Sequence, residues 1–282
     1  MELSKARGRL VVIGGGEDKE DDCGILKEFL RLARGARAHI VVMTVATDKP
    51  DELGGEYVEA FKRLGVDEVK VVDVSSREDT KDEKRLKLIE GATGIFFTGG
   101  DQLHITTLLG GTKMHGLLHE KFEKGIVLGG TSAGAAMMSN SMFIRGKSDE
   151  TPRFGGTEVG PGMDFLMGAI IDTHFSQRGR IGRLLTAVAQ YPQEIGLGID
   201  ENTAVICYDQ EFEVLGQGSV TVIDAGGMSY TNLESLSKDD ILTLCGVKIH
   251  ILSEGYRFDL RNREPLIEVE AETQKSKAMK TT

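Results

Sequence analysis

Through the first 200 residues of this 282-residue chain, short β-rich runs alternate with amphipathic segments, and that rhythm restricts the fold more than any other feature. Residues 10–13, 40–45, 68–74, 95–97, 126–128 and 169–171 read as buried strands. Between them Ile25, Leu26, Phe29, Leu30 and Ala33 mark one helix face, and Tyr57, Val58, Phe61 and Leu64 another. Strands separated by helical crossovers pair in parallel, so the expectation is an α/β fold with one mainly parallel sheet and helices on both faces.

After residue 203 the texture changes. Runs at 204–208, 211–215 and 220–224 are joined by short polar turns and read as antiparallel hairpins appended to that sheet. No linker divides the chain, so a single domain over residues 1–268 is expected, followed by a polar stretch, 269–282, expected to be a disordered tail.

In an open parallel sheet, functional groups collect at the carboxyl edges of the strands. The fifth run, 126–128, leads into Gly130-Thr131-Ser132-Ala133-Gly134 and then into small, helix-compatible residues up to 139. That is a G-x-S-x-G nucleophile elbow between a strand and a helix, where glycines permit the tight turn that lifts a serine above the sheet. The amide of Ala133 is then an oxyanion donor, and the pair Gly99-Gly100 at the neighbouring strand end offers a second, assigned to Gly100.

A serine hydroxyl needs a general base, itself oriented by a third group. His174 follows a predicted strand within residues 170–175 and is the best-placed histidine. Glu201, at the end of the run 195–199, is the preferred orienting carboxylate, with Asp200 and Asp172 as rivals. The chain order Ser, His, Glu differs from the Ser, acid, His order of α/β-hydrolases, which argues against an esterase or lipase of that type. Past His174 come Arg178, Arg180 and Arg183, and guanidinium forks match carboxylates, so an anionic substrate group is expected near the scissile bond.

Other readings drop out. The loop Gly14-Gly15-Gly16 after the first strand fails as a dinucleotide fingerprint because Lys19 stands where the third glycine belongs; it reads as a tight turn lining the crevice. His115 and His119 are four apart but lack the glutamate and third ligand of a zinc site, so neither a metal nor a cofactor is expected and both read as helix-surface residues. A net charge of −10 argues against nucleic acid, and no run approaches the roughly 18–20 apolar residues of a membrane span. The apolar run 10–13 is far too short for a secretion signal, so the mature chain is expected to start near Met1. Cys23, Cys207 and Cys245 are scattered, with no C-x-x-C pair, which points to a cytoplasmic protein without disulfides.

Taken together, Val11 to Gly16, Phe97-Thr-Gly-Gly-Asp-Gln-Leu103, Gly129 to Ala135, Asp172-Thr-His-Phe-Ser-Gln-Arg178 with Gly179 to Leu184, and Gly198 to Ala204 resemble the cyanophycinases, serine peptidases related to the aspartyl dipeptidases. The resemblance covers most of the chain. It implies a flavodoxin-like α/β/α sandwich, usually a homodimer. The implied activity is an exopeptidase that cuts cyanophycin, a poly-aspartate backbone with arginine on each side-chain carboxyl, into β-aspartyl-arginine dipeptides. Carried over by motif, Ser132 is the nucleophile, His174 the base and Glu201 its orienter. Gln102, Asp172, Thr173, Arg178, Arg180 and Arg183 fall in the substrate pocket, with Asp172 suited to a substrate guanidinium. Family members often have glutamine where this chain has Thr173, which shortens one implied contact with cyanophycin and loosens the specificity for it. Two further readings share the same residues: a dipeptidase for α-aspartyl peptides, and a catalytically idle module that grips acidic peptides through its arginines.

Overall fold

β1 (Arg9–Ile13), β2 (His39–Met43), β3 (Glu68–Val72), β4 (Gly94–Phe97) and β5 (Val127–Thr131) run parallel, in the spatial order β1-β5-β4-β2-β3. Their connections carry α1 (Gly24–Leu32), α2 (Pro50–Arg63), α3 (Glu83–Gly91), α4 (Gln102–Leu109) and α5 (Lys113–Glu123). The computed structural model describes residues 8–146, 148 and 150–267; the expected tail, 269–282, and the start at Met1 lie outside the described residues.

Side chains of a strand alternate between faces, and in β1, β2, β4 and β5 both faces are covered, which is why these strands read as nearly unbroken apolar runs, whereas β3, at the sheet edge, is half-exposed and carries Glu68 and Lys70. Val11, Ile13, Ile40, Val42 and Phe96 pack with Leu26 and Phe29 of α1 and Tyr57 and Phe61 of α2. Their alternates Leu10, Val12, Val41, Met43 and Phe97 pack with Leu86, Ile105 and Leu118 of α3, α4 and α5. Phe96 is the hinge of the first cluster, with Phe29 edge-on at 5.4 Å and Phe61 at 5.6 Å. Each such ring, fully buried, contributes about 1.5–3 kcal/mol from removal of apolar surface.

Beyond β5 the chain departs from the single sheet expected. The helix predicted to reach residue 139 is one turn long, α6 (Ala133–Ala136), and β6 (Ser139–Gly146) replaces the rest. The carbonyls that would continue the helix are taken by a distant segment: Met163 N–H donates to Met137 O at 2.8 Å, and Phe165 and Leu166 N–H to Met138 O at 2.9 and 2.8 Å. β7 (Thr157–Pro161), β8 (Leu166–Thr173), α7 (Ile181–Gln190) and β9 (Ile195–Ile199) follow. β6, β8 and β9 pair in parallel, but in a second sheet, so the strands around 169–171 and 195–199 do not join the first.

The expected hairpins divide between the sheets. β10 (Thr203–Tyr208) pairs antiparallel with β1, and β11 (Glu211–Gly216) with β10, while β12 (Val220–Asp224) pairs with β9 of the second sheet. β13 (Tyr230–Thr231) and β14 (Leu244–Cys245) form a small ribbon. β15 (Lys248–Leu252) joins β12, and β16 (Arg257–Asp259) and β17 (Glu264–Leu266) extend the first sheet beyond β11. The result is a mixed α/β fold of nine- and six-stranded sheets, less parallel than the sequence suggests. The sheets share a core in which Leu128 and Val205 of the first meet Met142, Ile171 and Leu197 of the second.

Among the described residues no helix is long and apolar enough to cross a membrane, and no group of three His, Cys, Asp or Glu is placed to hold a metal. His115 and His119 are half-buried rather than on the helix surface: their Nε2 atoms lie 3.0 Å apart, and His119 stacks on Phe165 at 4.4 Å.

Candidate active site

The turn after β5 has the backbone of a nucleophile elbow. Ser132 sits at φ 52°, ψ −110°, a region that non-glycine residues occupy only when their surroundings enforce it. Its N–H donates to Ile13 O at 3.1 Å. Close approach explains the glycines on either side: a Cβ on Gly130 would meet Gly134 O at 2.2 Å, and one on Gly134 would meet Phe97 O at 2.4 Å.

His174, the residue after β8, also has positive φ, 49°, and its N–H donates to Gly14 O at 2.7 Å. Its Nε2 lies 2.9 Å from Ser132 Oγ, and its Nδ1 lies 2.6 Å from Glu201 Oε1. A carboxylate can only accept, so the Nδ1 proton faces Glu201 and Nε2 is left to accept from the serine hydroxyl. Burial holds His174 below the usual imidazole value of 6.5; Glu201 pulls it up, and Arg178 and Arg180 push it down. The ring is therefore neutral, and able to act as a base, at neutral pH.

The three acids weighed for the orienting role are separated by their neighbours. Asp200 accepts from the N–H and hydroxyl of Ser176, at 3.0 and 2.6 Å, and from those of Ser219, at 3.1 and 2.9 Å. Asp172 is engaged by arginines: Arg183 Nε lies 2.6 Å from its Oδ2, Arg183 Nη2 bonds its Oδ1, and Arg180 Nη1 reaches Oδ1 at 3.3 Å. Glu201 alone of the three meets His174.

Beside Ser132 opens a cavity of about 210 Å³ lined by Gly100, Gln102, Asp172, Thr173, Arg178, Arg180 and Arg183, together with Phe143 and Arg145. Gln102 Nε2 donates to Phe143 O at 2.7 Å, and Arg183 lies over the Phe143 ring at 4.7 Å. Thr173 is buried, and its carbonyl accepts from Arg180 Nη1 at 2.5 Å. Gly100 has φ 142°, and Ala133 is buried directly after the serine; among the described residues neither amide donates to a protein acceptor.

Four arginines against one carboxylate line this cavity, in a chain whose net charge is −10. The local field therefore favours an anionic group beside Ser132. Burial lowers Arg180 to about 10, still cationic at neutral pH. The side chain of Asp172 has no exposed surface, which corrects the expectation that it faces a substrate guanidinium: it holds the protein's own. Arg178 differs from its two neighbours in being exposed at the cavity rim, with no ion pair among the described residues.

Sequence reasoning missed Arg145 and Phe143, because it placed no element between the helix expected to end at 139 and the strand at 169–171, and so had no strand to bring them to the site. It also saw Gly14-Gly15-Gly16 only as a turn. A Cβ on Gly15 would lie 2.2 Å from His174 Cε1, and one on Gly16 would lie 3.2 Å from Glu201 Oε2, so this loop is the wall against which base and acid pack.

Comparison with known proteins places the chain among peptidases. A model of peptidase family S51 matches residues 10–215. The chain is 38% identical over 262 residues to a cyanophycinase of Geminocystis herdmanii, covering 92% of this chain and 96% of that one. It is 37% identical over 259 residues to a cyanophycinase of Trichormus variabilis, covering 91% and 87%. Among solved structures, a peptidase from an acI-B1 Actinobacterium superposes with a TM-score of 0.64 at 20% identity, over 91% of this chain and 98% of that one.

Proposed function

This chain belongs to peptidase family S51, and from that premise we propose that it is a cyanophycinase-like serine exopeptidase whose working residues are Ser132, His174 and Glu201. The carrying observation is the continuous hydrogen-bonded line from Ser132 Oγ through both nitrogens of His174 to Glu201 Oε1. Ser132 Oγ attacks the peptide carbonyl carbon while His174 Nε2 takes its proton, and Glu201 stabilises the resulting imidazolium. The amides of Ala133 and Gly100 are the donors for the oxyanion. The imidazolium then protonates the leaving amine as the peptide bond breaks. Water, deprotonated by His174, releases the acyl group and restores the serine.

Cyanophycin, the substrate of the relatives named above, suits the cavity. A β-linked aspartyl unit keeps a free carboxylate, for which Arg178, exposed like Arg145 on the same cavity, is an accessible guanidinium. Gln102, Thr173, Arg180 and Arg183 complete the pocket, with Asp172 fixing the two arginines rather than binding substrate. The flavodoxin-like α/β/α layering, the homodimer and the cytoplasmic setting belong to the same proposal.

Mass spectrometry of the products formed from cyanophycin by the wild type and by Ser132→Ala tests it. Release of β-aspartyl-arginine by the wild type alone is the expected result. Cleavage of α-aspartyl but not β-aspartyl substrates would replace the substrate, and equal turnover by Ser132→Ala would replace the mechanism.

A further inference from the structure

One buried carboxylate has no part in the chemistry above. Glu17 is 6% exposed, and among the described residues no cation pairs with it. It accepts two hydroxyl hydrogen bonds, from Thr131 Oγ1 at 2.6 Å on Oε2 and from the Tyr57 hydroxyl on Oε1. Thr131 is the residue immediately before Ser132, and Tyr57 lies on α2, in the apolar cluster under the first sheet.

Glu17 also lies in the loop after β1, which meets Ser132, His174 and the residue that follows Glu201. Three successive carbonyls, of Ile13, Gly14 and Gly15, accept from the N–H groups of Ser132, His174 and Asn202 at 3.1, 2.7 and 2.8 Å. The next residue after Glu17, Asp18, donates its N–H to Asn202 Oδ1 at 3.0 Å, and Asn202 follows Glu201. The segment 13–18 thus sets nucleophile, base and acid against one ruler, and Glu17 is its only side chain that reaches the elbow strand among those contacts.

We propose that Glu17 is a positioning residue for the nucleophile: by clamping Thr131 it fixes the elbow against the loop that holds His174 and Glu201. A side chain of similar volume without charge would fill the same space without desolvating a carboxylate. What the carboxylate adds is direction, since each oxygen holds one hydroxyl at a fixed angle and distance. Burial and Glu17 together raise the Tyr57 hydroxyl well above its usual range, so it stays a donor. The strained backbone of Ser132 needs such a restraint, because a displacement of about 1 Å at a reacting group costs about a hundredfold in rate.

The inference rests on Ser132 being the nucleophile but not on any substrate. Its test is the rate at which a fluorophosphonate labels Ser132 in full-length Thr131→Val, Thr131→Ser and Glu17→Gln, with kcat and KM on cyanophycin and thermal unfolding measured in parallel. Expected are labelling and kcat lowered about tenfold to a hundredfold in Thr131→Val and Glu17→Gln, with KM unchanged and unfolding still cooperative. Thr131→Ser, which keeps the hydroxyl, is expected within about twofold of wild type, on the same reasoning that geometry sets the rate. Wild-type labelling by folded Thr131→Val, or equal impairment of Thr131→Ser, would overturn the assignment. Should Glu17→Gln not fold, the Thr131 pair decides alone. If the wild type labels but leaves cyanophycin intact, the proposed substrate fails and this inference stands.

Discussion

Arg183 grips Asp172 as a fork, Nε on one carboxylate oxygen and Nη2 on the other, while Arg180 shares the same carboxylate. All three side chains are nearly buried, so removing the acid leaves two guanidinium groups in a poorly solvated place. Breaking a buried pair from one side costs about 3–5 kcal/mol. Asp172→Ala is expected to lose stability on that order in urea unfolding, and to bind substrate poorly because both arginines lose their orientation. A stability within about 0.5 kcal/mol of wild type, the range of an ordinary surface substitution, would mean that the fork is not structural.

Arg178 stands outside that arrangement, exposed at the rim. Arg178→Ala is expected to raise KM about tenfold or more, as loss of a charge-assisted contact does, with unfolding unchanged. Since Arg178 also disfavours the protonated form of His174, the same variant is expected to move the acid limb of kcat/KM to higher pH. Steady-state kinetics across pH measures both effects at once.

Why the strands were legible and their partition was not follows from the same fact. Strands buried on two faces produce continuous apolar runs, and β8 and β9 produce them as well as β1 and β4 do, so nothing in the pattern says which sheet a strand joins. The early end of α6 was invisible because its carbonyls are captured by residues 163–166, far along the chain. At the site, glycine spacing singled out Ser132 and strand ends His174 and Glu201, three residues that one line of hydrogen bonds joins. The choice among Asp172, Asp200 and Glu201 was not fixed by spacing, because Ser176, Ser219 and the arginines that occupy the first two meet them only in three dimensions.

The three cysteines give a separate check of the packing. Cys207 is buried, and burial pushes its thiol up to about 12; Cys23 is buried and raised by burial and by Asp18; Cys245 is exposed. Because thiolate fraction and access set reactivity, a thiol reagent is expected to modify Cys245 rapidly in the folded protein and the other two only on unfolding. Rapid modification of Cys207 in native buffer would place β10 outside the first sheet.

The pairing of His174 with Glu201 makes the last prediction, and its sign is fixed by the forces on the ring. Burial is the largest of these and lowers the imidazole below 6.5, whereas Glu201 opposes it. The base must be neutral to act, so kcat/KM is expected to rise with pH through an apparent pKa below 6.5 and to level off above it. In Glu201→Gln the amide keeps a hydrogen-bond acceptor for Nδ1 but removes the negative charge that favours the imidazolium. The acid limb should therefore move to still lower pH, while turnover falls by about two to four orders of magnitude, since the charge that stabilises the protonated intermediate is gone. Loss of activity from a merely disturbed structure would leave the limb where it was. A pH–rate profile of Glu201→Gln whose limb moves up instead would show that a different group titrates in the active form, and would remove His174 from the role of base.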